Sequence, residues 1–183
     1  MPNYVANKLV IQAEKEVVQK IREKILSRTR EGEYRFDFNR LIQMPKALRK
    51  SIFKAKTPAE EKMSDEELDA YRKNLIEQYG ADTDYDWSVK YWGTKWNSCK
   101  NHIDDNEIIF ATAWSLPKPV MIRLSEIFPD VEFELWYMDE GWNFAGHKTY
   151  RNGNLTGEYP VASFKDKEAF WRLHKNWIGK IFK

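Results

Sequence analysis

The succession of secondary-structure signals predicts an α+β fold of the ferredoxin-like, split βαβ kind, and three observations carry that prediction. An alternating segment, "NKLVIQ", is followed at once by an amphipathic helical pattern, "EKEVVQKIREKIL". A second strand–helix–strand series runs through "NEIIFATAW", "SLPKPVMIRLSEIFP" and "VEFELWYM", and further alternating segments follow it. Taken in order this is β, α, β, insertion, β, α, β and extra strands: an antiparallel sheet with two helices on one face and a second face still to be covered.

Each element has its own justification. In the first strand Leu9 and Ile11 alternate with Lys8, Val10 and Gln12, after an extended "MPNYV" start. The helix that follows sets Val17, Val18, Ile21, Ile25 and Leu26 at helical spacing among charges. Gly32 breaks it, and Tyr34, Phe36 and Phe38 then alternate with Arg35, Asp37 and Asn39, a half-buried strand predicted to end at Pro45. From Lys46 to about Asp86 the chain reads as a mainly helical insertion with Pro58 as a break. There Ser64 and Glu67 have capping-box spacing, and Gly80 is a natural stop. In "YWGTKWN", Gly93 predicts a turn with Trp92 and Trp96 at its shoulders.

The run from Ile108 to Trp114 is rich in strand formers. A helix seeded near Pro119 turns Val120, Leu124, Ile127 and Phe128 inward and stops at Pro129. Val131, Phe133, Leu135 and Tyr137 alternate with Glu132, Glu134, Trp136 and Met138, and turns at "DEG" and "RNGN" predict an antiparallel meander. The terminal segment, about residues 165–182, predicts a docked helix. Phe170, Trp171, Leu173, Trp177, Ile178, Ile181 and Phe182 share one half of its wheel with His174, and Arg172, Lys175, Lys180 and Lys183 lie opposite or at its edges. That width favours burial, with Phe170, Trp177 and Ile181 packed and Lys175, Lys180 and Lys183 in water.

A length of 183 residues fits one domain, 1–183, carrying the insertion and the terminal helix. Eight Trp, nine Tyr and ten Phe make 15% of the chain, which serves either a ring-rich core or exposed stacking surfaces. A single cysteine forms no internal disulfide, the start lacks the pattern of a signal peptide, and no apolar run reaches the length of a membrane span; these predict a cytoplasmic protein without membrane partners. Residues 1–30 carry seven basic and three acidic side chains and residues 160–183 carry six and two, so a face that attracts phosphate would have to be assembled from the two chain ends.

"MPNYVANKL", "FDFNRLIQMP", "WGTKWN", "FATAWSLPKPV", "LSEIFP" and "DEGWNFAG" together resemble the YubB-like ferredoxin-fold family of bacterial plasmids, phages and prophages. The resemblance implies a fold and a mobile-element setting, and it transfers no catalytic residues. In that setting it implies a binding protein whose partner is a host protein or protein complex, such as a component of a host defence system.

The candidate partner-binding residues are Trp92, Lys95, Trp96 and Asn97 in one loop and Asp139, Glu140 and Trp142 in a neighbouring hairpin. One alternative is a single-strand nucleic-acid module stacking bases on Phe36, Phe38 and Trp114; another is an enzyme acting on a nucleotide-like substrate through Asp139, Glu140 and His147. Cys99 and His102 with Asp104 and Asp105 lack the second ligand pair that a structural zinc site wants, and no Walker loop, GxGxxG, HExxH or GxSxG occurs. The sequence thus predicts no metal, no cofactor and no catalytic set, and leaves the oligomeric state open.

Overall fold

The protein is described from a computed structural model covering residues 3–49 and 60–182. β1 (Tyr4–Gln12) leads into α1 (Lys15–Ile25), a small hairpin of β2 (Leu26–Arg28) and β3 (Tyr34–Phe36), and a 3-10 turn at Phe38–Arg40. After α2 (Asp65–Tyr79) and α3 (Asp84–Tyr91) come β4 (Cys99–Ile103), β5 (Glu107–Ala113), α4 (Lys118–Ile127), β6 (Glu132–Asp139), β7 (Ala145–Arg151), β8 (Asn154–Pro160) and α5 (Phe164–Ile178). Six strands pair antiparallel in the order β4-β5-β1-β6-β7-β8.

Four of them, β4-β5-β1-β6, make the ferredoxin-like sheet: the unit β5–α4–β6 brackets β1, and β7 and β8 extend it at one edge. Alternation sorts the side chains. Leu9, Ile11, Ile108, Phe110, Phe133 and Leu135 pack beneath Val18, Ile21 and Ile25 of α1 and Val120, Met121 and Leu124 of α4. Ala6, Ile109, Ala111, Met138 and Ala145 form the opposite face, under Phe170, Trp177 and Ile178 of α5 and Ile181 beyond it. Ala6 pairs with both Ala111 and Met138, and Met138 with Ala145, so a row of mostly small side chains lets the helix lie close.

Several expectations change here. The second ferredoxin strand is β4, whereas of the segment expected from Tyr34 onward Tyr34–Phe36 pairs with Leu26–Arg28 in a separate two-stranded sheet and Phe38 opens a 3-10 turn. The cause is side-chain competition for the backbone: Phe36 N–H donates to Asn101 Oδ1 and Phe38 N–H to Asn97 Oδ1, both at 3.0 Å, where a strand neighbour would otherwise sit. Met138, expected on the outward alternation, is buried because α5 covers that face. On α5 the buried stripe is narrower than half the wheel. Phe170, Trp177, Ile178 and Ile181 are covered, whereas Trp171 and Leu173 are exposed. Lys175 and Lys180 are exposed. Lys183, the first two residues and Pro58 lie outside the described residues.

The segment between the core elements has the expected punctuation. Ser64 Oγ accepts from Glu67 N–H, Glu67 returns the bond to Ser64 N–H, and Gly80 closes α2 at φ +74. Leu75, Ala81 and Trp87 join the core under α1 and α4.

Candidate functional site

The loop after α3 is built by Gly93. Its φ of +77 is open mainly to glycine, and a Cβ there would meet Pro119 Cδ at 2.9 Å and Leu116 O at 3.0 Å. The loop therefore presses on the start of α4, and Ser115 Oγ–H donates to Gly93 O to hold it. Ser88 Oγ–H donates to Lys95 O, and Thr94 Oγ1–H to Trp96 O.

Two of the candidates in this loop are structural. Trp92 is 5% exposed, packs edge-on against Phe38 and Trp87, and donates its indole N–H to Ile42 O at 2.9 Å, so it offers no surface for a partner. Asn97 accepts from the N–H groups of Phe38 and Ser98 and donates to Asp37 Oδ1. Burial pushes the Asp37 carboxyl up; the hydrogen bonds from Asn97 and Ser27, the charge of Arg35 and the Asn39 N–H outweigh it and leave it below its ordinary value.

Lys95 and Trp96 are half-buried in a cluster whose third member lies beyond the strand β5. The Lys95 ammonium lies 4.6 Å from the Trp114 ring centroid, 5.1 Å from that of Trp96 and 5.7 Å from that of Tyr85, and Tyr85 meets Trp114 edge-on at 6.2 Å. Trp114 is 43% exposed and sits at φ +70, a left-handed conformation uncommon for a bulky residue. Its N–H donates to Asn3 O, and this bond holds it at the sheet end.

The hairpin between β6 and β7 is organised by Asp139. This residue is 2% exposed, and its Oδ2 accepts from Gly141 N–H, Asn143 N–H and Asn143 Nδ2–H, so the carboxylate is turned into its own loop and is corrected from a contact residue to a loop organiser. Glu140 is exposed and accepts from Tyr4 N–H. Trp142, half-buried at φ +60, stacks on Phe164 with centroids 5.5 Å apart and meets Trp171 at 6.2 Å; Phe164 itself is 70% exposed. Lys167 Nζ donates to Trp142 O and Asn143 O and ties this hairpin to α5.

Between the two clusters runs a groove of about 520 Å³. Trp114 and Lys118 line one side and Pro160, Val161 and Lys167 another, with Tyr137, Phe144 and the Lys148–Glu158 ion pair completing it. The hydrogen bond and charge of Lys148 hold the Glu158 carboxyl below its ordinary value, and Lys118 adds to this; burial, with Glu158 nearby, pushes the Tyr137 hydroxyl up. Lys118, Lys148 and Lys167 escape a reading of the sequence because they stand on three elements distant along the chain; the Trp114 ring, adjacent to a strand of buried residues, was legible as a candidate.

The remaining candidates are dispersed. Cys99 is half-buried with its thiol on Ala111 O, and burial pushes that thiol up; His102 is exposed farther along β4. Among the described residues no group of three or more His, Cys, Asp and Glu side chains converges to hold a metal ion. His147 lies in a ladder across β6, β7 and β8, stacked on Trp136 at 4.3 Å and on Tyr159 at 4.9 Å, and belongs to the α5 face, away from Glu140. Phe36 and Phe38 are fully buried in a cluster with Phe110, which removes them as base-stacking platforms. No helix among the described residues is long and apolar enough to cross a membrane.

Among solved structures, the crystal structure of protein api92 from Yersinia pseudotuberculosis is similar over 90% of this chain and 100% of that one, at 11% identity and a TM-score of 0.45. No curated protein matches the sequence. Residues 91–170, spanning β4 to β8 and the start of α5, match the family model described as the ferredoxin-like domain in Api92-like protein, in agreement with the topology of the sheet.

Proposed function

We propose that the chain is a non-enzymatic accessory protein of a mobile genetic element that binds a host protein at this sheet end, with components of host defence systems as the first class to test. The mobile-element setting rests on the resemblance to the YubB-like family; the binding reading rests on Trp114. An indole 43% exposed, held in an uncommon backbone conformation and flanked by Trp96, Tyr85 and Lys95, is the kind of rigid aromatic anchor around which partner affinity concentrates. Lys167, which lines the groove, also holds the hairpin of Trp142, whose ring stacks on the exposed Phe164.

Charge placement favours a protein over a nucleic acid. The two basic chain ends contribute α1 and α5, which pack on opposite faces of the sheet, a placement that disfavours one shared phosphate-binding face. Affinity capture from host lysate, with and without nuclease, tests the reading. Wild-type protein retains a nuclease-resistant protein partner, and Trp114→Ala and Trp96→Ala weaken its capture by about 2 kcal/mol or more while leaving the fold intact. Capture that vanishes with nuclease, or that both variants preserve, overturns it.

A further inference from the structure

We infer that the groove beside Trp114 takes an acidic segment of the partner protein, whose carboxylates meet Lys118 and the neighbouring lysines while an apolar side chain lies against the indole. This rests on the partner-binding reading and narrows it to one chemistry. The groove wall carries Lys118, Lys148 and Lys167 against one carboxylate, that of Glu158, which is itself paired with Lys148. The other nearby carboxylates are committed elsewhere: Asp139 to its own loop and Glu140 to Tyr4 N–H.

Lys118 is the informative residue. It is exposed, its ammonium makes no hydrogen bond among the described residues, and it is the first residue of α4, whose first turn holds no acidic side chain. A cation at the positive end of a helix dipole opposes helix stability; the Glu158 carboxylate, which Lys118 helps hold below its ordinary value, offsets this in part, and an incoming anion would complete the offset. The groove lining supplies the apolar half of the recognition through Trp114, Tyr137, Phe144 and Val161. The larger groove of about 920 Å³ along β4 is the weaker match, because its lining sets the two carboxylates of Glu33 and Asp104 beside Arg35, Lys100 and Lys180, whereas Glu158 is the one carboxylate lining the groove beside Trp114.

Fluorescence anisotropy with three labelled, amidated octapeptides tests the inference: one of Asp and Glu around a central Leu pair, its Asn and Gln isostere, and its Lys counterpart. The acidic peptide is expected to bind at least tenfold tighter than the isostere at 50 mM salt, to weaken at 300 mM, and to lose at least tenfold with Lys118→Glu, an exposed change that does not lower the melting temperature. Equal affinity for acidic and neutral peptides, saturable binding of none, or an unaffected Lys118→Glu overturns it. Lysate capture separates the two levels. A partner lost with Trp96→Ala yet retained by Lys118→Glu refutes the acidic-segment inference alone, whereas a partner retained by both refutes the binding site itself.

Discussion

Trp92→Ala removes a buried ring and leaves Ile42 O without its indole donor, a loss of about 3–5 kcal/mol, which at this chain length lowers the melting temperature by at least about 6 °C. Trp114→Gly takes the opposite course. It relieves a left-handed conformation that costs a non-glycine residue on the order of 1–3 kcal/mol, offset by the roughly 0.5–1 kcal/mol of extra chain freedom glycine forfeits on folding. Differential scanning calorimetry should therefore show a melting temperature within a few degrees of wild type while partner capture is lost. The pair explains what "YWGTKWN" could and could not disclose: the turn at Gly93 is written in the residue type, whereas the burial of Trp92 depends on Phe38 and Trp87 arriving from other segments. His174 adds a pH dependence. Burial, reinforced by Lys8, holds its imidazole below the ordinary value of 6.5, so the unfolded chain binds the proton more readily, and stability present above about 6.5 is lost as pH falls toward the lowered folded value. Melting curves between pH 8 and 5 should show that decline, and His174→Phe should flatten it.

At the scale of elements, α5 closes the second sheet face. Without it Ala6, Ile109, Ala111 and Met138 would meet water, and so a chain lacking residues 165–183 is expected to aggregate or to melt markedly earlier. Size-exclusion chromatography of the truncated form checks this, and a monomer with an unchanged melting curve contradicts it. The helices α1, α4 and α5 were legible because amphipathic periodicity is local, and the start and stop of α2 because capping is local too. β4 was not, since "CKNHI" has no hydrophobic alternation: this edge strand carries a left-handed Lys100 and a register shift between Cys99 and His102, and lends Asn101 to the Phe36 backbone. Conversely, the alternation at Tyr34–Phe38 is genuine, yet it serves a ring cluster with Phe110 and extends no strand of the main sheet.

For the whole molecule, distributing α1 and α5 on opposite faces of the sheet keeps two basic helices apart. A labelled 20-nucleotide single strand is accordingly expected to show no saturable binding at 150 mM salt, and saturable binding whose affinity falls steeply between 50 and 200 mM would contradict that picture. The candidate site is a property of this scale as well, since its residues come from α3 and the loop after it, the β5–α4 junction, β6, β7 and the hairpin between them, β8 and α5, segments far apart along the chain. Two hydrogen bonds at the start of β1 have a practical bearing. Because Trp114 N–H is held by Asn3 O and Tyr4 N–H by Glu140, the chain enters β1 right beside the exposed indole. A purification handle fused ahead of Asn3 would begin close to that indole and, if rich in acidic residues, imitate the occupant; handles at that end need to be cleaved before any affinity is measured.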